Sequence, residues 1–474
     1  MRKDRLHTHL LLFITVLTIF AFAAYAGDWP QQAHDARRSG YTSEEIHPPY
    51  KVAWKHNFLP ERPARRTQPI IYQGKVYVGT QQGTMYCFDA KSGDVLWEYP
   101  GAGSIQHSAA CANGKVFFTS LDGNVYALDA ASGKFAWKTP TGSALTVTPC
   151  LSEDMVFVGS RRGTFYALRQ TVGTVAWEKK MDAPILNSAA YDDGVVYFGT
   201  EDMHMHAVDT ADGDEKWVSE KLYGMSFKDY HPVIHKSYVL IRPMTSYEAD
   251  IYAGYSQYGS WPDDLPGGWW AVWTEARKPL PNFKQRYDLA TMERAGRMPR
   301  MLLDAQKPVI EHFTNNPSDQ DLFVLDIETG KQALVAPHFR VNAMHGAVTP
   351  PVEDINGTLI IPWVHLNQCW ARYDIEKNRL VEFIIPPRPT NADENMNVTC
   401  GGRYVYIFHT QEGNANHTGI YDLREKAWRS NAGPGVTWYD NLQSGNHPVS
   451  IGAGHYYHIL FYTLVARTSQ EDAK

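Results

Sequence analysis

The chain has 474 residues, 43% hydrophobic and 13% aromatic, with 36 glycines, a composition that suits many short strands joined by tight turns. Its net charge is −6 and no Lys/Arg run follows the N-terminus, which argues against nucleic acid or anionic membrane surfaces as partners, since both demand a concentrated basic face. No two of the five cysteines (Cys87, Cys111, Cys150, Cys369, Cys400) stand at a C-x-x-C spacing, so neither a zinc knuckle nor a c-type haem attachment motif is encoded.

In chain order, residues 1–26 read as a targeting segment. Arg2, Lys3 and Arg5 precede an apolar run from Leu10 to Ala24, and Ala24-Tyr25-Ala26 before Gly27 supplies a small-x-small cleavage site. No Cys stands at that site, so a lipid anchor is not supported. The competing reading is an uncleaved membrane anchor, because the apolar run is longer than usual for a signal peptide. No other stretch is long and apolar enough to span a bilayer. The expected product is exported, periplasmic or secreted, and its compartment permits disulfides. Most of the cysteines nevertheless read as small buried hydrophobes in strands.

The next signal is a repeat. Trp97, Trp137, Trp177 and Trp217 stand 40 residues apart, and Gly93, Gly133, Gly173 and Gly213 keep that interval four residues earlier. Tyr86, Tyr126 and Tyr166 repeat it again, with His206 in the fourth slot. Each unit alternates short β-branched and aromatic runs with Gly- and Asp-bearing turns, which predicts four antiparallel strands. In the turn Asp89-Ala90-Lys91-Ser92-Gly93, the Asp is expected to accept backbone N–H bonds and the Gly to take a positive φ. Such a sheet cannot bury both faces alone. Setting the sheets round an axis solves the problem, and the repeated Trp is expected to cover the seam between neighbours.

Later units degenerate but keep the turn: Leu325-Asp326-Ile327-Glu328-Thr329-Gly330 in unit five, Tyr373-Asp374 in six, and Tyr421-Asp422 leading to Trp428 in seven. The eighth, from His447 to about Arg467, has room for three strands. Tyr50 to Phe58, containing Trp54, is the expected fourth. The sequence therefore predicts an all-β, eight-bladed β-propeller over residues 27–467, with an N-terminal strand completing the last blade. An insertion, residues 245–320, interrupts blade five.

Residues 127–137 (ALDAASGKFAW) resemble the repeat of the PQQ-like β-propellers, roughly A-x-D-x-x-T-G-x-x-x-W. Residues 82–97, 122–137 and 202–217 match it, whereas Arg169 replaces the Asp in unit three. The stretch 28–41 (DWPQQAHDARRSGY) also looks like the lead-in of bacterial members. The resemblance implies one of two kinds of protein. Quinoprotein dehydrogenases hold pyrroloquinoline quinone and calcium in the central channel, and commonly carry a vicinal Cys-Cys pair that this chain lacks. An outer-membrane assembly factor scaffolds β-barrel insertion without catalysis, and the chain is closer in style to this non-enzymatic kind.

Three groups of residues are candidates for function. His107, His231, His345 and His447 lie near the starts of innermost strands, where imidazoles from different blades could converge on a transition metal, with Met225, Met344 and Met396 near. Polar residues in a solvated channel explain the same positions. His204 and His206 share a strand face, but His206 fills the repeat's Tyr slot, which packing explains. Tyr252, Tyr255, Tyr258, Trp261, Trp269, Trp270 and Trp273 crowd the insertion, as a sugar- or peptide-stacking surface or as a small satellite core. Catalytic templates such as G-x-S-x-G, the Walker loop and H-E-x-x-H are absent. The expectation is a binding or scaffolding module for a protein, polysaccharide or small molecule. The alternative is an oxidoreductase with PQQ or a transition metal in its channel.

Overall fold

The computed structural model describes residues 27–244, 306–320, 322–337, 350–364, 369–384, 397–408, 419–429, 447–460 and 462–470. The expected signal segment, residues 1–26, lies outside them. Blade one comprises Ile70–Tyr72, Lys75–Gly79, Met85–Asp89 and Val95–Tyr99, each antiparallel to the next. Seven further sheets repeat the plan, the first strands of blades two to eight being Ala110–Ala112, Cys150–Leu151, Ala190–Asp192, Val233–His235, Val352–Glu353, Asn397–Gly401 and Ser450–Gly452. These first strands lie against one another at most seams and so ring the central axis. The product is the eight-bladed propeller expected from the 40-residue period.

Local chemistry explains the strand ends. The Asp89 carboxylate accepts N–H bonds from Lys91 (3.0 Å) and Ser92 (2.8 Å), and Gly93 turns the chain at φ +79°. Asp326 does the same for Thr329 (2.9 Å) in blade five, and Asp422 for Arg424 (3.0 Å) in blade seven.

The seams explain the second half of the motif. Each indole leaves the outer strand of its own blade and lies on the turn of the following one. Trp97 Nε1 donates to the Ala130 carbonyl (3.1 Å), Trp137 to Gln170 (3.0 Å), Trp177 to Thr210 (2.9 Å) and Trp217 to Ile327 (2.8 Å). A Cβ built on Gly133 would stand 2.6 Å from the Trp97 ring, and one on Gly330 would stand 2.3 Å from Trp217. The turn glycine is thus demanded twice, by its φ and by the neighbouring ring.

Two devices close the ring. Tyr50–Asn57 pairs antiparallel with Thr463–Ser469 as the outer strand of blade eight, and Trp54 from it donates to the Ala90 carbonyl (2.9 Å), sealing the seam with blade one. The second device is the segment from Gly27 to Thr42, which crosses the channel and bonds every blade in turn. Its Gly27 carbonyl accepts from Ala453 in blade eight (2.9 Å), Trp29 exchanges two bonds with Ile71 in blade one, and the Pro30 carbonyl accepts from Cys111 in blade two (2.8 Å). The Gln31 side chain accepts from Leu151 in blade three (2.9 Å). The carbonyls of Ala36, Arg37, Ser39 and Gly40 then accept from Tyr191, Ile234, Glu353 and Cys400, in blades four, five, six and seven. Tyr41–Thr42 finally adds a short parallel strand to Asn397–Gly401, so blade seven has five strands. Trp29 and Arg38 of this segment are fully buried.

Candidate functional site: the open mouth of the channel

The N-terminal segment bonds the far ends of the inner strands, at Ile71, Cys111, Tyr191, Ile234 and Cys400, and so floors the channel there. At the opposite end, where the inner strands begin, lies a cavity of about 540 Å³. Residues just ahead of the inner strands line it: Arg65 and Arg66 of blade one, Gln106 and His107 of blade two, Thr146, Leu186, and then Lys228 and Asp229 of blade five. The loops between second and third strands add Gln81, Leu121 and Arg161.

Asp229 organises the wall. It adopts φ +67° with its N–H on the Leu186 carbonyl (3.3 Å), which turns its carboxylate onto His107 Nε2 (3.2 Å) and Arg66 (3.4 Å). Burial alone would raise the Asp229 carboxyl, but the His107 hydrogen bond and charge, with Arg66 and Lys228, outweigh it and hold the group at about 2. Asp229 is the one carboxylate among the described residues lining the cavity, and it is already neutralised. Arg65 and Arg161 line the same space with no ion-pair partner among the described residues, and Lys228 lies in the field of Asp229 and Glu201.

Buried polar groups lie around the inner-strand starts. His231 is pushed well below its ordinary value by burial and by the nearby charges of Arg38 and His107, so it is neutral. Its Nδ1 has no partner, nor have His107 Nδ1, the Thr67, Thr146 and Thr148 hydroxyls, Asn187 Nδ2 and Arg38 Nη2. Polar atoms in such positions call for water or a ligand.

The expected histidine convergence is therefore split. His107 and His231 lie close enough to influence each other, whereas His447 turns its Nδ1 onto the Thr67 carbonyl (3.0 Å) and is held down at about 4 by burial. His345 lies outside the described residues. His206 sits between Thr200 (3.0 Å) and Glu215 (3.4 Å), and His204 bonds the Ser219 carbonyl (2.9 Å), so the two serve different local contacts. No group of three or more His, Cys, Asp or Glu is placed to hold a metal ion among the described residues. Calcium wants six to eight oxygen ligands, and among the described lining residues the single committed carboxylate does not supply such a set. Cys87, Cys111, Cys150 and Cys400 are buried and free.

The insertion leaves blade five between Tyr238–Ile241 and Phe323–Asp326, the same second-to-third-strand position that supplies Gln81, Leu121 and Arg161 to the mouth. Its aromatic residues, Tyr255, Tyr258, Trp261, Trp269, Trp270 and Trp273, lie outside the described residues. Its returning end forms helix α1 (Gln306–Asn315), where the Gln306 side chain bonds both the N–H (2.6 Å) and the carbonyl (3.2 Å) of Leu380 on the outer strand of blade six.

Sequence reasoning missed Arg65, Arg66, Arg161, Lys228 and Asp229. A signal existed: Arg66, Gln106, Thr146 and Leu186 are 40 residues apart, as are Gln81, Leu121 and Arg161. Aligning these positions would have collected one rim from four blades.

The family model described as outer membrane protein assembly factor BamB matches residues 51–152 and 137–227. No curated protein matches the sequence. Among solved structures, BamB from Moraxella catarrhalis is 13% identical, with 89% of this chain and 100% of that one covered at a TM-score of 0.54. A quinohemoprotein alcohol dehydrogenase from Comamonas testosteroni is 13% identical over 94% of this chain and 81% of its own, at 0.61. A europium-containing methanol dehydrogenase is 14% identical over 91% and 89%, at 0.55. These likenesses share the fold across an assembly factor and two dehydrogenases.

Proposed function

Since the chain is a PQQ-like β-propeller, we propose that it is an exported binding or scaffolding protein without catalysis, taking its ligand or partner at the channel mouth and the insertion rooted there. One observation carries this reading. Among the described lining residues the one carboxylate, Asp229, is consumed by Arg66 and His107, which leaves cations and hydrogen-bonding groups suited to holding a partner and no free base or metal-ligand set among them. The position of the insertion supports it, since long loops on one face of a propeller commonly carry binding. The partner is a protein, a polysaccharide or a small molecule.

The test is to purify the protein from its native host, record its visible spectrum and metal content, and assay dye reduction with added quinone and calcium. The expected result is a featureless spectrum and no turnover. A co-purifying quinone or metal with dye reduction would establish the oxidoreductase alternative instead. Replacing residues 250–300 by a short linker should also remove the species cross-linked to the protein in its host. Unchanged cross-links would rule the insertion out as the contact.

A further inference from the structure

We propose that the mouth cavity is a receptor site for a small organic anion carrying at least two carboxylate, sulfate or phosphate groups, held between Arg65, Arg161 and Lys228. The inference rests on the binding reading above and gives it a ligand class. Its volume of about 540 Å³ falls inside the range of roughly 300–1,000 Å³ typical of small-molecule sites. The floor formed by residues 27–42 makes it a well and not a through-channel.

Charge selects the ligand. Among the described residues four cations line the well against one carboxylate, and that carboxylate is spent on Arg66 and His107. A neutral sugar would leave the charges of Arg65 and Arg161 to water, whereas a dianion or trianion neutralises them, with Lys228 beside it, and profits from the focused field of a concave site. Guanidinium groups also suit planar oxyanions bidentately.

A second observation is independent of the rim. His107 lines the well at 5% exposure with Nδ1 unpartnered among the described residues. Thr146 also lines the well, and its hydroxyl, buried and unpartnered among the described residues, can donate as well. Groups of this kind match ligand oxygens.

Calorimetric titration of the full mature chain with citrate, fructose 1,6-bisphosphate and neutral sucrose tests the proposal. One equivalent of citrate or of the bisphosphate should bind, and which of them does identifies the carboxylate or the phosphate source. Affinity should fall about tenfold or more in the Arg65→Ala/Arg161→Ala variant and with rising salt, while Lys134→Ala, on a distant turn, changes nothing. Both rim arginines are exposed, so the double variant should melt with the parent, and a matched melting curve confirms that it is folded. Failure of both anions to bind, equal binding of sucrose, or full affinity in the double variant would overturn the proposal. Such a failure with a featureless visible spectrum leaves the binding-module reading standing, whereas quinone-dependent turnover sinks that reading whatever citrate does.

Discussion

The two ends of the channel are built from different materials. At the floor, residues 27–42 bond the inner strands chiefly through main-chain groups, which nearly any side chains could supply. At the mouth, the wall is made by particular side chains: Arg65, Arg66, His107, Arg161, Lys228 and Asp229. Main-chain bonding of this kind fixes shape. Side-chain display sets what can enter. The contrast teaches that stability and recognition are separated along the axis, and it can be broken at either end.

The largest effect should come from deleting residues 27–42. Losing the nine hydrogen bonds described above between this segment and the blades, with the buried Trp29, should cost roughly 5 kcal/mol or more, read as a collapse of the cooperative transition in urea. If the deleted protein melts like the parent, the floor is dispensable and the comparison fails. Next comes Trp137→Ala, which empties a seam and orphans the Gln170 carbonyl, with an expected loss of about 3–4 kcal/mol in the same assay and no change at the mouth.

Asp229→Asn is smaller and touches the mouth. A carboxylate held at about 2, below its unfolded value of 3.8, contributes stability that is fully present above pH 4 and disappears as pH falls through 2. The variant should lose roughly 2 kcal/mol at pH 7 and lack the wild-type decline in stability between pH 4 and 2, measured by urea titration across pH. It should also bind citrate more tightly, because it removes a negative charge from the lining of the well. The smallest effect is Asp129→Ala at an exposed blade turn, where losing its bonds to Ser132 should cost under about 1 kcal/mol and leave the mouth untouched.

What could be read from the sequence follows the same division. The seam residues were legible because one physical problem, an indole over the next blade's turn, recurs every 40 residues and leaves Trp97 and Gly93 in phase. The last blade was legible by counting, since three strands need a fourth and Tyr50 to Phe58 was available. The floor was not, because Ala36, Arg37, Ser39 and Gly40 act through their carbonyls, which no residue type announces. Residues 28–41 could be noticed as a lead-in but not as a lid. The mouth was half legible: His107 and His231 stood out as histidines, whereas their neighbours Arg38 and Asp229 come from segments with different periods. Asp229 also needs a positive φ that Asp does not advertise.

The circuit made by Gly27 to Thr42 runs from blade eight through blades one to seven, and Tyr50–Asn57 then returns to blade eight. The first stretch of the folded protein to leave the ribosome therefore waits for the last. Until Thr463–Ser469 has emerged, its partner strand has nothing to pair with and the opening segment has no finished circle to span. Maturation is accordingly a single late event, and a chain stopped short of its final strand would hold blades without a ring.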